Sequence, residues 1–222
     1  MQSPTFSIVS IPTHIAMNEI DLNDYDHVAF DLDGVLVDSA AVVENALRRW
    51  AGEERLSPEC VLRMSAARRD IELVASISPG LSPEREAARI ADYEVQVMDL
   101  LRPIAGAAEF YSSLTAGRRS VVTSSSRVSA LARLKVAGIS CPRIMIAAED
   151  VRQGKPNPEP YQVLLRTLQI APERCLVFED SRAGIEAATT AGCDCVGVGP
   201  NASGHPDIRG WIEDFREMTF LI

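Results

Sequence analysis

The stretch AFDLDGVLVDSA, residues 29–40, places carboxylates at the end of an apolar segment. The apolar residues Val28 to Phe30 lead into Asp31, and a second carboxylate, Asp33, follows after one residue. Ordering carboxylates beside a buried strand is unfavourable unless a cation or hydrogen-bond donors face them. The stretch therefore predicts a buried first strand that ends at a polar site, with Gly34 allowing a sharp turn.

Composition and charge are those of an ordinary globular protein with an acidic surface. The chain has 222 residues, of which 46% are hydrophobic and 24% charged, and its formal net charge is −9. No block of Lys and Arg is present, which argues against nucleic acid or an anionic membrane as a partner. No apolar run approaches the roughly 20 residues that a membrane-spanning helix needs.

The cysteines and the first residues favour a cytoplasmic protein. The five cysteines are scattered and lack zinc-finger spacing, which favours reduced thiols that pack as small apolar side chains. Residues 1–26 contain neither a basic segment nor a sustained apolar run, so no signal peptide is evident.

From residue 105 onward, helical and strand patterns alternate along the chain. Predicted helices cover 106–116, 127–137, 159–168 and 181–191, and predicted strands cover 120–123, 144–147, 175–178 and 195–198. With a first strand at 28–31, this alternation predicts a parallel sheet with helices on both faces.

Residues 41–101 differ because they show helical patterns and no convincing strand. Ser57-Pro58 and Ser82-Pro83 each resemble a helix N-cap followed by proline, and Glu84 to Leu101 reads as one long amphipathic helix. We therefore predict an N-terminal extension (1–26), an α/β core (27–40 and 103–222) and an inserted helical cap (41–102).

Polar residues follow four of the predicted strands. Asp31 and Asp33 follow the first, and Thr123, Ser124 and Ser125 follow the second. Lys155 comes after the third, and Glu179 and Asp180 follow the fourth. Each feature is common by chance, but ligands of open parallel sheets bind at the carboxyl ends of the strands. Their joint placement predicts one site.

The residue types suit phosphoryl transfer. Asp31, Glu179 and Asp180 together would stay ionised only around a cation, and oxygen ligands favour Mg²⁺. Thr123 and the backbone N–H of Ser124 can bind phosphate oxygens, and Lys155 can neutralise charge. An ionised aspartate can act as a nucleophile, and a second carboxylic acid can transfer the proton.

Four segments, DLDGVLVDS, VVTSSS, GKPNPEPY and FEDSRAGI, resemble the ordered motifs of the haloacid dehalogenase-like (HAD) superfamily. The resemblance covers about residues 27–200 and implies a Rossmann-like doubly wound core with a helical cap. It implies Asp31 as the nucleophile and Asp33 as the general acid/base, whose backbone carbonyl also binds Mg²⁺. It further implies phosphate binding by Thr123 and Lys155, with Asp180 and Glu179 on the metal.

Within the superfamily, the chain is most similar to the sugar phosphatase and β-phosphoglucomutase branch. Asp33 favours phosphatases and phosphomutases, because ATPases of the superfamily carry threonine there and dehalogenases lack this acid. The mutases often have a histidine in the first cap helix, whereas SAAVVENALRRW here has none. We therefore expect a phosphatase for a small phosphorylated sugar or polyol, with a sugar phosphomutase or a non-catalytic member as alternatives.

The cap is less informative. Ser65-Ala66-Ala67-Arg68-Arg69 only partly matches an HGxR-like element of the relatives, so Arg68 or Arg69 is a candidate for binding substrate and a solvated arginine is the alternative. The expected partner is a small phosphorylated metabolite, and the expected state is a monomer or weak homodimer.

Overall fold

The computed structural model describes residues 20–66 and 68–217, and its centre is a six-stranded sheet. The strands are β1 (His27–Phe30), β4 (Arg119–Val122), β5 (Met145–Ile146), β6 (Cys175–Glu179), β7 (Asp194–Val198) and β8 (Gly210–Ile212). Their order is β5-β4-β1-β6-β7-β8, and every neighbouring pair is parallel. The order reverses on either side of β1, which places a binding crevice at its carboxyl end.

Helices cover both faces of this sheet. The helices are α5 (Ala107–Ser113), α6 (Arg127–Val136), α7 (Glu159–Leu168) and α8 (Arg182–Thr190). Alternate strand residues pack to opposite sides: Phe30 and Phe178 contact the α5 and α6 face, whereas Val177 packs against α7 and α8. The predicted doubly wound α/β fold is confirmed.

A helical insertion follows β1. A short antiparallel pair, β2 (Val37–Asp38) and β3 (Arg102–Pro103), connects it to the sheet. Its helices are α1 (Ala40–Glu53), α2 (Pro58–Ser65), α3 (Asp70–Ile77) and α4 (Pro83–Gln96). We call α1–α4 the cap, and the sheet with α5–α8 the core. The exact domain boundaries, residues 41–102 for the cap, stay a prediction.

The cap helices begin as the sequence predicts and enclose their own apolar centre. The hydroxyls of Ser57 and Ser82 accept hydrogen bonds from the backbone N–H of Cys60 and Arg85, each before a proline at the first helical position. Trp50 is fully buried in this centre. The cap helices therefore pack around a hydrophobic cluster of their own.

Two elements differ from the sequence predictions. The predicted helix to Leu101 ends at Gln96, because Val97 leaves helical geometry and a short 3₁₀ turn follows at Met98–Leu100. The strand at 195–198 is the last one that the sequence predicts, but β8 pairs with β7 beyond it. β8 has three residues, too few for a recognisable alternating pattern. The extension predicted at 1–26 lies outside the described residues up to position 19.

All five cysteines are free thiols, and Cys175, Cys193 and Cys195 are buried. None of the described helices has the length and apolar character needed to cross a membrane.

Candidate active site

The carboxyl ends of the central strands bring the predicted polar residues together. Asp31 directly follows β1, Thr123 follows β4, and Glu179 is the last residue of β6. Lys155 arrives from the loop between β5 and α7. Since β4, β1 and β6 are adjacent and parallel, residues at the end of each strand or one position past it share one edge of the sheet.

Lys155 is the centre of this edge. Its buried ammonium lies 2.5 Å from Asp31 Oδ1 and 2.5 Å from Glu179 Oε1, and it also donates to the carbonyl of Val122 at 3.0 Å. The hydroxyl of Tyr161 donates to the same Glu179 oxygen at 2.6 Å. Charge-assisted hydrogen bonds of this kind fix side chains strongly in a buried setting. Asp31 is therefore held in one orientation.

The charges at this edge do not balance. Burial, together with the neighbouring Glu179 and Asp180 carboxylates, raises the pKa of Asp31, although Lys155 opposes that shift. Burial and Glu179 raise the pKa of Asp180 to about 7. Burial alone would lower the pKa of Lys155, but Asp31 and Glu179 outweigh it and raise that pKa. When all three carboxylates are ionised, the single ammonium leaves two negative charges uncompensated.

A divalent cation fits this imbalance. One oxygen from each of Asp31, Glu179 and Asp180 lies within 4.8 Å of the others, so the three can converge on one ion. An all-oxygen donor set with room for water ligands suits Mg²⁺. The donor chemistry and the residual charge agree with the predicted metal.

Gly34 allows the first motif to pass close to the metal residues. Its φ is +86°, and a Cβ built there would lie 2.1 Å from Asp180 Oδ2. Any side chain would therefore collide with a predicted metal ligand. The glycine is required both for the turn and for the close approach.

Asp33 lies apart from this charge cluster and is surrounded by donors. Ser39 Oγ donates to Oδ1 at 2.6 Å, and Ser125 Oγ donates to Oδ2 at 2.8 Å. Arg133 Nη1 lies 2.7 Å from both oxygens. Asp33 remains partly exposed and lines a pocket that also contains Asp31. It can therefore reach a bound molecule.

The hydroxyl run organises the β4 edge. Thr123 is buried, and its Oγ1 accepts from the backbone N–H of Ser125 at 3.0 Å. Ser124 and Ser125 line the same pocket as Asp31 and Lys155. The structure thus brings together the core residues that the sequence predicted as phosphate binders.

The two candidate arginines of the cap have different environments. Arg68 is exposed and lines the pocket, and its role in binding substrate stays a prediction. Arg69 is buried and donates to the carbonyls of Ala148, Val151 and Arg152 at 3.0, 2.8 and 2.6 Å. The suggestion that Arg69 grips substrate is therefore wrong, because its guanidinium already binds the loop that leads to Lys155.

Three functional neighbours were not found by sequence reasoning. Arg133 on α6 contacts Asp33, and its Nη2 lies 2.7 Å from Oε1 of Glu94 on cap helix α4. Asp70, at the start of α3, and Glu94 line the pocket. All three lie in helices away from strand ends, and no local motif marks them.

The pocket lies between core and cap and has a volume of about 410 Å³. That is a suitable size for a small metabolite. At its base a lysine-bound aspartate faces a carboxylate cluster suited to a divalent cation, with a second aspartate beside it. This arrangement is what an enzyme needs for phosphoryl transfer through an aspartate.

Comparison with known proteins identifies the family. A model of the haloacid dehalogenase-like hydrolase family matches residues 28–198, and the chain belongs to this family. It is similar to hexitol phosphatase A of Escherichia coli (strain K12), with 37% identity over 76% of this chain and 81% of that protein. It is also similar to validoxylamine A 7'-phosphate phosphatase of Streptomyces hygroscopicus subsp. limoneus, with 34% identity over 78% of this chain and 85% of that protein.

A solved structure agrees at the level of the fold. CbbY from Rhodobacter sphaeroides, determined in complex with phosphate, superposes with a TM-score of 0.78 and 20% identity over 89% of this chain and 97% of that chain. The predicted family and the predicted enzyme class, a phosphoric monoester hydrolase, are confirmed.

Proposed function

We propose that the protein is a Mg²⁺-dependent phosphatase that hydrolyses a small phosphorylated sugar or polyol through an aspartyl-phosphate. The observation that carries this proposal is the buried Asp31 carboxylate, 2.5 Å from the Lys155 ammonium at the base of the pocket. An ionised, oriented carboxylate is a competent nucleophile at phosphorus.

In the first half of the reaction, the free oxygen of Asp31 attacks phosphorus while the bond from phosphorus to the leaving oxygen breaks. Asp33, as the carboxylic acid, gives its proton to that oxygen and leaves a neutral alcohol. In the second half, Asp33 takes a proton from water as the water oxygen attacks the aspartyl-phosphate. The phosphorus–oxygen bond to Asp31 then breaks, and inorganic phosphate is released.

Several donors stabilise the transferred phosphoryl group. We assign this role to the backbone N–H of Ser124 and to Lys155, which line the pocket, and to the buried Thr123 beside them. Bound by Asp31, Glu179, Asp180 and the backbone carbonyl of Asp33, Mg²⁺ would supply positive charge to the same oxygens.

The pocket charge supports a substrate with one phosphate and a neutral, hydroxyl-rich body. Among the described residues that line the pocket, β2 and the cap contribute the acids Asp38, Glu44, Asp70 and Glu94 and the cation Arg68. Carboxylates accept hydrogen bonds from hydroxyls but repel a second phosphate. This charge pattern favours a phosphatase over a mutase that works through a bisphosphate, and hexitol phosphatase A, by its name, acts on a polyol phosphate.

The test is phosphate release from hexitol, glycerol and aldose monophosphates, each with Mg²⁺ and with EDTA. We expect release from polyol or sugar monophosphates only with Mg²⁺. Asp31→Asn preserves shape but removes the nucleophile, so activity should fall by roughly 10³-fold or more. Activity of Asp31→Asn near the wild-type level would contradict the aspartyl-phosphate mechanism. Isomer formation that depends on a bisphosphate, without net phosphate release, would favour the mutase.

A further inference from the structure

Arg133 is a core arginine that joins Asp33 to the cap. It lies on α6, and its side chain is fully buried. Nη1 lies 2.7 Å from each Asp33 oxygen and donates to Ser125 Oγ at 2.5 Å, while Nη2 lies 2.7 Å from Oε1 of Glu94. One guanidinium therefore contacts the proposed proton-transfer residue and a cap helix.

Burying a guanidinium is unfavourable unless its partners compensate, and replacing such pairs by apolar residues is often neutral for stability. The contact with Asp33 therefore calls for a reason other than folding. Among the partners of Asp33, the hydroxyls of Ser39 and Ser125 can donate or accept, so they fit either protonation state. Arg133 can only donate, and its planar head has a fixed direction.

Because Nη1 lies 2.7 Å from both Asp33 oxygens, it holds the carboxyl group as a whole. When Asp33 is protonated, the oxygen without the proton accepts from Arg133, so the group stays in place while its proton is transferred. The same contact keeps the carboxylate in place when it later accepts a proton from water. Since Glu94 belongs to α4, the Arg133 guanidinium bridges a cap helix and Asp33.

We propose that Arg133 is a positioning residue for Asp33, and that Glu94 couples docking of the cap to proton transfer at the leaving group. The inference rests on the proposed function, because it assumes that Asp33 protonates the leaving oxygen. It adds to that function a residue outside the four motifs and a physical link between cap and chemistry.

Leaving groups of different basicity make the proposal testable. A polyol leaves as a strongly basic alkoxide and needs proton transfer, whereas p-nitrophenolate is weakly basic and needs little. The value of kcat/KM covers the steps up to formation of the aspartyl-phosphate, so it reports proton donation without the later hydrolysis. A defect in positioning Asp33 therefore lowers kcat/KM for the polyol phosphate selectively.

The experiment measures kcat/KM with the polyol phosphate that the wild type hydrolyses best and with p-nitrophenyl phosphate. Arg133→Met keeps an apolar side chain of similar length, Arg133→Lys keeps the charge, and Glu94→Gln keeps the shape of the cap partner. Arg182→Met on α8, whose exposed side chain pairs with Glu186, serves as the control. Circular dichroism and thermal unfolding verify that each variant is folded.

General acid catalysis contributes about 10²- to 10⁴-fold, so Arg133→Met should lower the polyol value by roughly 30- to 100-fold and the p-nitrophenyl value by about threefold or less. Arg133→Lys should recover part of the loss, and Glu94→Gln should show the same selectivity to a smaller extent. An equal loss with both substrates, or no loss, would overturn the inference. If Arg133→Met does not fold, the test uses Arg133→Lys and Glu94→Gln, and the ratio of kcat/KM for the polyol phosphate to kcat/KM for p-nitrophenyl phosphate decides. Absence of phosphate release by the wild type from either substrate would instead reject the proposed function.

Discussion

Two buried arginines connect the cap and the core, one from each side: Arg69 belongs to the cap and contacts the core, whereas Arg133 belongs to the core and contacts the cap. Their surroundings differ. In the Arg69 cluster, a cap arginine donates to the carbonyls of Ala148, Val151 and Arg152 and pairs with Glu72 at 2.6 Å. In the Arg133 cluster, a core arginine faces three carboxylates, those of Asp33, Glu94 and Asp70. The first cluster binds mainly neutral acceptors, whereas the second has an excess of negative charge.

The pKa directions follow this difference. Burial works to raise the pKa of Glu72, but hydrogen bonds from Arg69 and from the backbone N–H of Gly154 lower it on balance. Burial and Glu94 raise the pKa of Asp70 to about 7, against the opposing effect of Arg133. Burial likewise raises the pKa of Glu94. A charge-matched contact suits a structural role, and a contact with excess carboxylate suits a pocket that must bind hydroxyls and move protons.

The largest expected effect concerns the Arg69 cluster. Arg69→Met removes three charge-assisted hydrogen bonds to part-buried carbonyls together with the buried guanidinium that made them, which should cost about 2–4 kcal/mol of unfolding free energy. The loop from Ala148 leads to Lys155, so activity should fall with p-nitrophenyl phosphate and polyol phosphates alike. Urea unfolding and kcat/KM with both substrates test this expectation.

The neighbouring Arg68 supplies the control for that prediction. Arg68→Met removes an exposed guanidinium from the pocket and should change unfolding free energy by less than about 0.5 kcal/mol. If Arg69→Met were as stable as Arg68→Met, or lost activity only with polyol phosphates, the contrast between the two clusters would be incorrect.

The sequence reveals the core site far better than either cluster. Asp31, Thr123 and Glu179 adjoin the ends of apolar strands, and parallel strands necessarily bring their ends to one edge. Arg133 instead depends on the face of a helix, and its partner Glu94 is 39 positions away in another helix. Arg69 binds carbonyls, which every residue carries, so no side-chain pattern indicates the contact. Strand ends can be predicted locally, whereas the helix-to-core contacts depend on how the cap docks.

A second prediction concerns pH and the Arg133 cluster. The folded-state pKa of Asp70, about 7, lies above the value of an unfolded aspartate, so the folded state binds this proton more tightly. Its contribution to stability is therefore present at low pH and is lost as pH rises towards and through about 7. Asp70→Asn cannot ionise, so it should be more stable than the wild type by roughly 3 kcal/mol near pH 8 and by less than about 1 kcal/mol near pH 4.

Urea unfolding at both pH values tests this, and Asp92→Asn on α4, a substitution of the same type outside the cluster, is the control. A stability difference that does not change with pH would show that Asp70 does not titrate between these conditions. That result would mean that the Arg133 cluster does not carry an excess of negative charge, and the contrast with the Arg69 cluster would then fail.

The smallest expected effect has the opposite sign and belongs to the Arg69 cluster. The pKa of Glu72 is lowered in the folded protein, so its contribution is present above the pKa of an unfolded glutamate and is lost as pH falls through the lower folded value. Glu72 is about one-third exposed, so solvent weakens the pair, and Glu72→Gln should cost about 0.5–1 kcal/mol near pH 7. Near pH 3.5 that cost should shrink, because protonation of Glu72 weakens the wild type as well.

The control is Glu109→Gln on the exposed surface of α5, which should show neither effect in the same urea titrations. A cost for Glu72→Gln that grows on acidification would mean that Glu72 is held as the neutral acid, and the Arg69 cluster would then not be charge-matched.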